Sequence, residues 1–144
     1  MPYLIIWVHL IWSTKNREAY LKKEIRQKVF DHIKVNAKEK NIYIDTINGY
    51  VEHVHCLVAL KNDQTISNIM QLLKGESSFW INRNKLINFK FAWQDEYFAV
   101  SVSPSNVDKV REYIKNQEKH HQKKTFQQEY EEFISQLGFK RFKD

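Results

Sequence analysis

Apolar positions change their period several times along the chain, and each change marks an element. Residues 3–12, YLIIWVHLIW, are apolar on both alternating faces, which predicts a central strand covered on both sides. The polar STKNR at 13–17 is a turn. From Glu18 to Lys40 the pattern is helical: Leu21, Ile25, Val29, Ile33 and Ala37 recur every fourth residue, and Asn41 suits a left-handed cap. NIYIDTINGY (41–50) carries Ile42, Ile44 and, after a shift of phase, Ile47, and predicts a strand. Asn48-Gly49 is a turn signal or a bulge, and VEHVHCLVAL (51–60) is the strand that completes a hairpin.

A second helix is expected from Thr65 to about Asn84, with Ile66, Ile69, Met70, Leu73 and Trp80 on its apolar face. Gly75 weakens it by about 1 kcal/mol relative to alanine, unless a close neighbour needs the space. Residues 91–103 hold a loop and then a strand from Tyr97 to Val102. Ser103 as N-cap and Pro104 at the first helical position open SPSNVDKVREYIKNQEKHH, a helix packed through Val107, Val110 and Ile114. The last helix, TFQQEYEEFISQLG, opens on a Thr125/Gln128 capping box and closes at Gly138. Its apolar face is Phe126, Tyr130, Phe133, Ile134 and Leu137.

The order is β-α-β-β-α-β-α-α. Its first six elements match the split βαβ pattern. The fold class expected is α+β: a ferredoxin-like (RRM-like) antiparallel sheet with helices on one face, plus C-terminal helices. Two units follow, a main domain over 1–124 and a helical extension over 125–144.

Composition narrows the function. The 144 residues are 42% hydrophobic and 28% charged, without repeats or low-complexity tracts, which excludes a disordered chain. The single cysteine, Cys56, excludes a disulfide framework or a cysteine zinc site within one chain. It points into the core and reads as a buried hydrophobe. The opening apolar run is too short to span a bilayer and lacks a basic n-region and cleavage site, so a cytoplasmic protein is expected. Lys plus Arg number 23 against 17 Asp plus Glu, and aromatics reach 14%. That balance favours a polyanionic partner such as nucleic acid; the plainer account is a basic surface over an aromatic core.

Candidate chemistry concentrates in two places. On a strand, residues i and i+2 share a face, so His53 and His55 project together with Cβ atoms about 7 Å apart. Val54, Cys56 and Val58 point the other way. Two imidazoles so placed can grip one metal ion with a further ligand from elsewhere, or they are simply surface histidines. On the helix after Ser103, Tyr113 and Gln117 are four apart and share a face beside the packing stripe. Taken alone they are an amphipathic tyrosine and a solvated glutamine. His9 reads as a sheet-face histidine with a satisfied hydrogen bond, and His32 as solvated.

In order and spacing, TKNR, VEHVHCLV, LLKGESS, the W…EYFAVSVS strand and VREYIKNQEKHH resemble the single-tyrosine HUH transposases of insertion sequences, most closely the REP-associated tyrosine transposases. The resemblance covers roughly residues 3–121. His53-Val54-His55 supplies the His-hydrophobe-His. Many relatives carry Pro-Asp before the first histidine, where this chain has Val51-Glu52.

The resemblance implies that His53, His55 and Gln117 ligate a divalent metal, Mg²⁺ or Mn²⁺, and that Tyr113 is the nucleophile. Imidazole ligands lean toward Mn²⁺, and a permanent zinc site is disfavoured. It implies cleavage and rejoining of single-stranded DNA bearing a hairpin, through a 5′-phosphotyrosine, by a homodimer. Lys15, Arg17, Lys74, Arg83 and Lys85 are candidate DNA-phosphate contacts, although any one such residue is more often a solvated surface charge. The basic run EKHHQKK (118–124) is a further contact or a solvated linker. Two other readings compete. A non-catalytic single-stranded nucleic-acid-binding module on the same sheet needs exposed aromatics on its central strands and no histidine pair. A dimerising structural domain explains neither the charge nor the pair.

Overall fold

A computed structural model describes residues 3–137. Its elements are β1 (Trp7–Thr14), α1 (Lys23–Glu39), β2 (Tyr43–Gly49), β3 (His53–Ala59), α2 (Ile66–Arg83), β4 (Trp93–Val102), α3 (Val107–Lys115), α4 (Gln117–His121) and α5 (Phe126–Leu137). The strands form one sheet in the order β2-β3-β1-β4, antiparallel throughout. This is the ferredoxin-like α+β arrangement expected from the element order.

The two faces of the sheet differ in chemistry. Val8, Leu10 and Trp12 of β1 and Val54, Cys56 and Val58 of β3 pack against Val29, Phe30 and Ile33 of α1 and Ile69, Met70 and Leu73 of α2. Burial pushes the Cys56 thiol pKa up, so it stays an inert hydrophobe. Alternation sends His9 of β1 and His53, His55 and Leu57 of β3 to the opposite face. There Leu57 packs with Val107 and Ile114 of α3.

Several boundaries move from their expected places. β1 begins at Trp7 because both neighbours end there: Trp7 faces Ala59 and Val102, and Tyr3 to Ile6 are exposed. α1 begins at Lys23 rather than Glu18. The Leu21 N–H donates to the Val51 carbonyl at 2.8 Å, and Lys22 remains extended. Asn41 takes the left-handed conformation (φ 62°) expected of a cap. In β2 the pairing shifts between Ile44 and Thr46, which accounts for the phase change before Ile47. β4 starts at Trp93, four residues early, and a register shift opposite Trp12–Thr14 accommodates the extra length. His32 is not solvated: it is half-buried, bonded to Glu76 Oε1 at 2.7 Å and stacked on Trp80.

The helix expected over 103–121 is broken. Pro104–Asn106 form a separate 3-10 turn, and α3 and α4 are parted at Asn116. Asn48 Nδ2 donates to the Lys115 carbonyl at 3.0 Å, inserting a side chain where the ladder would continue. The capping box of α5 is as expected, with Gln128 N–H donating to Thr125 Oγ1 at 3.1 Å and Thr125 N–H to Gln128 Oε1 at 2.8 Å. The expected stop at Gly138, the packing of Leu137 and the FKRFKD tail lie outside what is described.

Two glycines act in opposite ways. Asn48-Gly49 is the end of β2 and not the turn, which falls at 50–52. A Cβ on Gly49 would stand 2.1 Å from the His53 carbonyl oxygen. Gly49→Ala is therefore expected to cost about 1–3 kcal/mol by overpacking and to displace His53. Chemical denaturation should show the loss; an unchanged midpoint would contradict the close approach. Gly75 has nothing within 4 Å of the corresponding position. Gly75→Ala is expected to stabilise α2 by about 1 kcal/mol, read as a higher thermal midpoint. A lower midpoint would mean that this helix position needs its glycine.

Candidate active site

His53 and His55 lie side by side on β3 with no solvent exposure. Both faces of this strand are buried because α3, α4 and α5 close over the site. His53 Nε2 stands 3.0 Å from Gln117 Oε1. The structure thus brings Gln117 to the histidine pair within one chain, across the break at Asn116. The His53 Nδ1 pairs with Glu52 Oε1 at 2.6 Å. With Glu52 on Nδ1, the other ring nitrogen is the one presented to Gln117. An imidazole nitrogen and an amide oxygen at this separation suit two ligands of one cation.

His55 is oriented in the same way. Its Nδ1 shares a 2.8 Å hydrogen bond with His9 Nε2, which satisfies His9 as expected. Its Nε2 lies 3.0 Å from Glu129 Oε1. Burial lowers the His55 pKa to about 4, partly opposed by Glu129, and burial with the neighbouring His55 lowers that of His9 to about 3. Both are neutral imidazoles at neutral pH, the form that binds metal.

Tyr113 is placed by α3. Arg111, two residues before it, forms a bidentate pair with Asp45 of β2, with both contacts at 2.8 Å. These hydrogen bonds from Arg111 hold the Asp45 carboxyl below the usual carboxylate range. The Tyr113 ring lies 5.6 Å from that of His55, and its hydroxyl donates to Glu129 Oε2. Burial, then the charge of Glu129, push the phenol pKa well above its ordinary value. A cleft of about 320 Å³ opens beside Tyr113, lined among others by His9, Ser101, Asn106, Lys109 and Phe133.

Sequence reasoning missed Glu129, although it is the most connected side chain here. It is 1% exposed and contacts His53, His55, His120 and His121 within 4 Å. Burial opposes its ionisation, but hydrogen bonds from His121 and His55 and the fields of His55 and His53 outweigh that and hold its carboxyl well below the ordinary range. Around it, Phe126 stacks on His53 at 4.2 Å and Phe133 packs against His9 and His55. One signal was available: Glu129 lies three residues after Phe126 and four before Phe133, a carboxylate set in the apolar stripe of α5. The run EKHHQKK is also no simple linker. His121 is nearly buried, with Nε2 3.1 Å from Gln117 Oε1.

His53, His55 and Glu129 offer ligand atoms within 4.8 Å of one another, and so do His120, His121 and Glu129. Gln117 adds its amide oxygen to the first group. This donor set of imidazole nitrogens and hard oxygens suits a divalent first-row metal.

The five basic candidates do not gather at the site. Arg17 comes nearest, with its guanidinium over the Phe126 and Tyr130 rings at 5.2 and 4.5 Å. Lys15 is exposed in the turn after β1. Lys74 Nζ donates to the carbonyls of Gln94 and Asp95 at 2.6 and 2.9 Å. Arg83 ends α2, which packs on the other face of the sheet, and Lys85 follows it.

Comparison with known proteins bears on the fold and the family. Two solved structures share the fold: a Deinococcus radiodurans R1 protein described as a transposase, and a REP-associated tyrosine transposase bound to a REP hairpin. The first has TM-score 0.66 and 22% identity over 81% of this chain and 93% of that one; the second has 0.64 and 18%, over 84% and 72%. The ISDra2 transposase TnpA of D. radiodurans is 26% identical over 115 residues, spanning 76% of this chain and 81% of that protein. The transposase for insertion sequence element IS200 of Salmonella typhimurium is 27% identical, spanning 76% and 74%. Residues 3–117 match the family described as "Transposase IS200 like", more than half of the sequence, and the chain therefore belongs to the IS200-like transposase family.

Proposed function

We propose that this transposase cleaves and rejoins hairpin-bearing single-stranded DNA through a covalent Tyr113 intermediate, at a divalent metal held by His53, His55 and Gln117. The observation that carries the reading is the meeting of two buried imidazoles with the buried Gln117, with the half-buried Tyr113 ring 5.6 Å from that of His55. The hairpin follows the REP-associated relative, whose structure holds a REP hairpin.

The metal, Mn²⁺ or Mg²⁺, would polarise the scissile phosphate and offset its growing negative charge. The chain's own groups do the rest. Glu52 and His9 orient the imidazoles from behind. The Asp45–Arg111 pair fixes α3 and with it Tyr113. The Tyr113 oxygen bonds to phosphorus as the P–O3′ bond breaks, and the proton that the phenol loses is balanced by the one that the 3′ oxygen takes up to leave as a 3′-OH. A 5′-phosphotyrosine retains the bond energy, so a 3′-OH can reverse the step on another strand without ATP. Tyr113 lies beside the histidine pair of its own chain, which supports attack within one chain. One tyrosine makes one cut and transposition needs two, which calls for a homodimer; β4, an edge strand, offers a pairing surface. Among the described residues no helix is long and apolar enough to cross a membrane.

The non-catalytic binding module is less well supported. The central strands β1 and β3 present no open aromatic platform: Trp12 is buried on the helix-covered face, Trp7 is partly buried against the Leu57, Val107 and Ile114 cluster, and the histidines lie under α3 to α5. The test is incubation with hairpin-bearing single-stranded DNA and Mn²⁺. A DNA-linked species that survives denaturing electrophoresis supports the enzyme. Binding without any such species, in Mn²⁺ or Mg²⁺, supports the module.

A further inference from the structure

We propose that Glu129, carried by α5 outside the matched family region, is itself a ligand of the metal centre. This rests on the metal-centred reading above. Glu129 Oε1 lies 3.0 Å from His55 Nε2 and 3.6 Å from His53 Nε2, and the latter lies 3.0 Å from Gln117 Oε1. Ligand atoms about 2.1 Å from a shared ion sit about 3.0–3.5 Å apart at octahedral or tetrahedral angles; the two 3.0 Å spacings match such edges, and the 3.6 Å spacing lies just beyond them.

Charge points the same way. Glu129 is buried, and among the described residues its ion-pair partners are all histidines, with no lysine or arginine within 4 Å. The histidines hydrogen-bond this carboxylate but none is a permanent cation, and a divalent ion would supply one. The other donors, two imidazoles and an amide, bring no negative charge of their own. α5 is fixed over the site by Phe126 on His53 and Phe133 beside His55, so the carboxylate is delivered by packing. With four protein ligands, an ion that takes six would still have room for water or phosphate oxygens. The helical extension thus becomes part of the metal centre.

The test uses the full chain without DNA. Mn²⁺ is titrated in, and the unbound ion is counted from its electron paramagnetic resonance signal. Wild type should bind Mn²⁺, Glu129→Ala should raise Kd at least tenfold, and Glu129→Gln, which keeps the shape and an amide oxygen, should raise it less. Circular dichroism checks folding; if Glu129→Ala does not fold, Glu129→Gln decides. A lid that only hydrogen-bonds His55 and Tyr113 would act oppositely, since removing its carboxylate frees the His55 Nε2 and tightens binding. Unchanged or tighter binding in the folded variants overturns the assignment. If His53→Ala weakens binding while the Glu129 variants do not, only the role of Glu129 is lost. If wild type takes up no Mn²⁺, the metal-centred reading falls as well.

Discussion

Tyr113→Phe is expected to form no protein–DNA adduct and to lose strand cleavage by about 10⁴-fold or more, the scale of removing a covalent nucleophile. The substitution deletes one oxygen and keeps the ring that packs near His55, His9 and Phe133. It also removes the hydrogen bond to Glu129, whose charge the surrounding histidines still face. The fold and metal uptake should therefore survive, so lost cleavage would report lost chemistry. In Tyr113→Phe a melting curve near wild type with no adduct is the expected pair of results. Cleavage at the wild-type rate would move the nucleophile elsewhere.

The second large effect is expected at the ligands. His53→Ala should reduce metal-dependent cleavage by roughly 10²–10⁴-fold, the several kcal/mol that a metal supplies to the transition state. Gln117→Ala should act in the same direction, since its amide oxygen faces His53 Nε2 at 3.0 Å. Binding of single-stranded DNA, measured by fluorescence anisotropy, should change little in either variant. DNA affinity comes mainly from phosphate contacts by basic residues, and neither residue supplies a permanent charge. Wild-type cleavage in either variant would remove that residue from the site, and a parallel loss of binding would make its role structural.

Local patterns carried much of this into the sequence. The period-two placement of His53 and His55 put both imidazoles on one face with Val54 and Cys56 turned inward, and the sheet realises that. The capping box of α5 was legible because Thr125 and Gln128 satisfy each other within one turn. Features that depend on distant partners were not legible. The break after Lys115 needs Asn48, 67 residues away, to occupy a carbonyl. The late start of α1 needs the Val51 carbonyl to take the Leu21 N–H, with Lys22 left extended. Glu129 lies 74 residues from His55, in a helix whose apolar face explained itself without it. Its only sign was a carboxylate within that face, and what it meets there is decided by how α5 folds back onto the sheet.

The most direct measurement is to locate the DNA on the protein. The adduct formed with hairpin-bearing single-stranded DNA and Mn²⁺ is digested with protease and nuclease, and the nucleotide-bearing peptide is sequenced by mass spectrometry. The account predicts a 5′-phosphate ester on Tyr113, in the peptide that contains EYIK. A nucleotide found on any other residue, or a 3′ linkage at Tyr113, would contradict it.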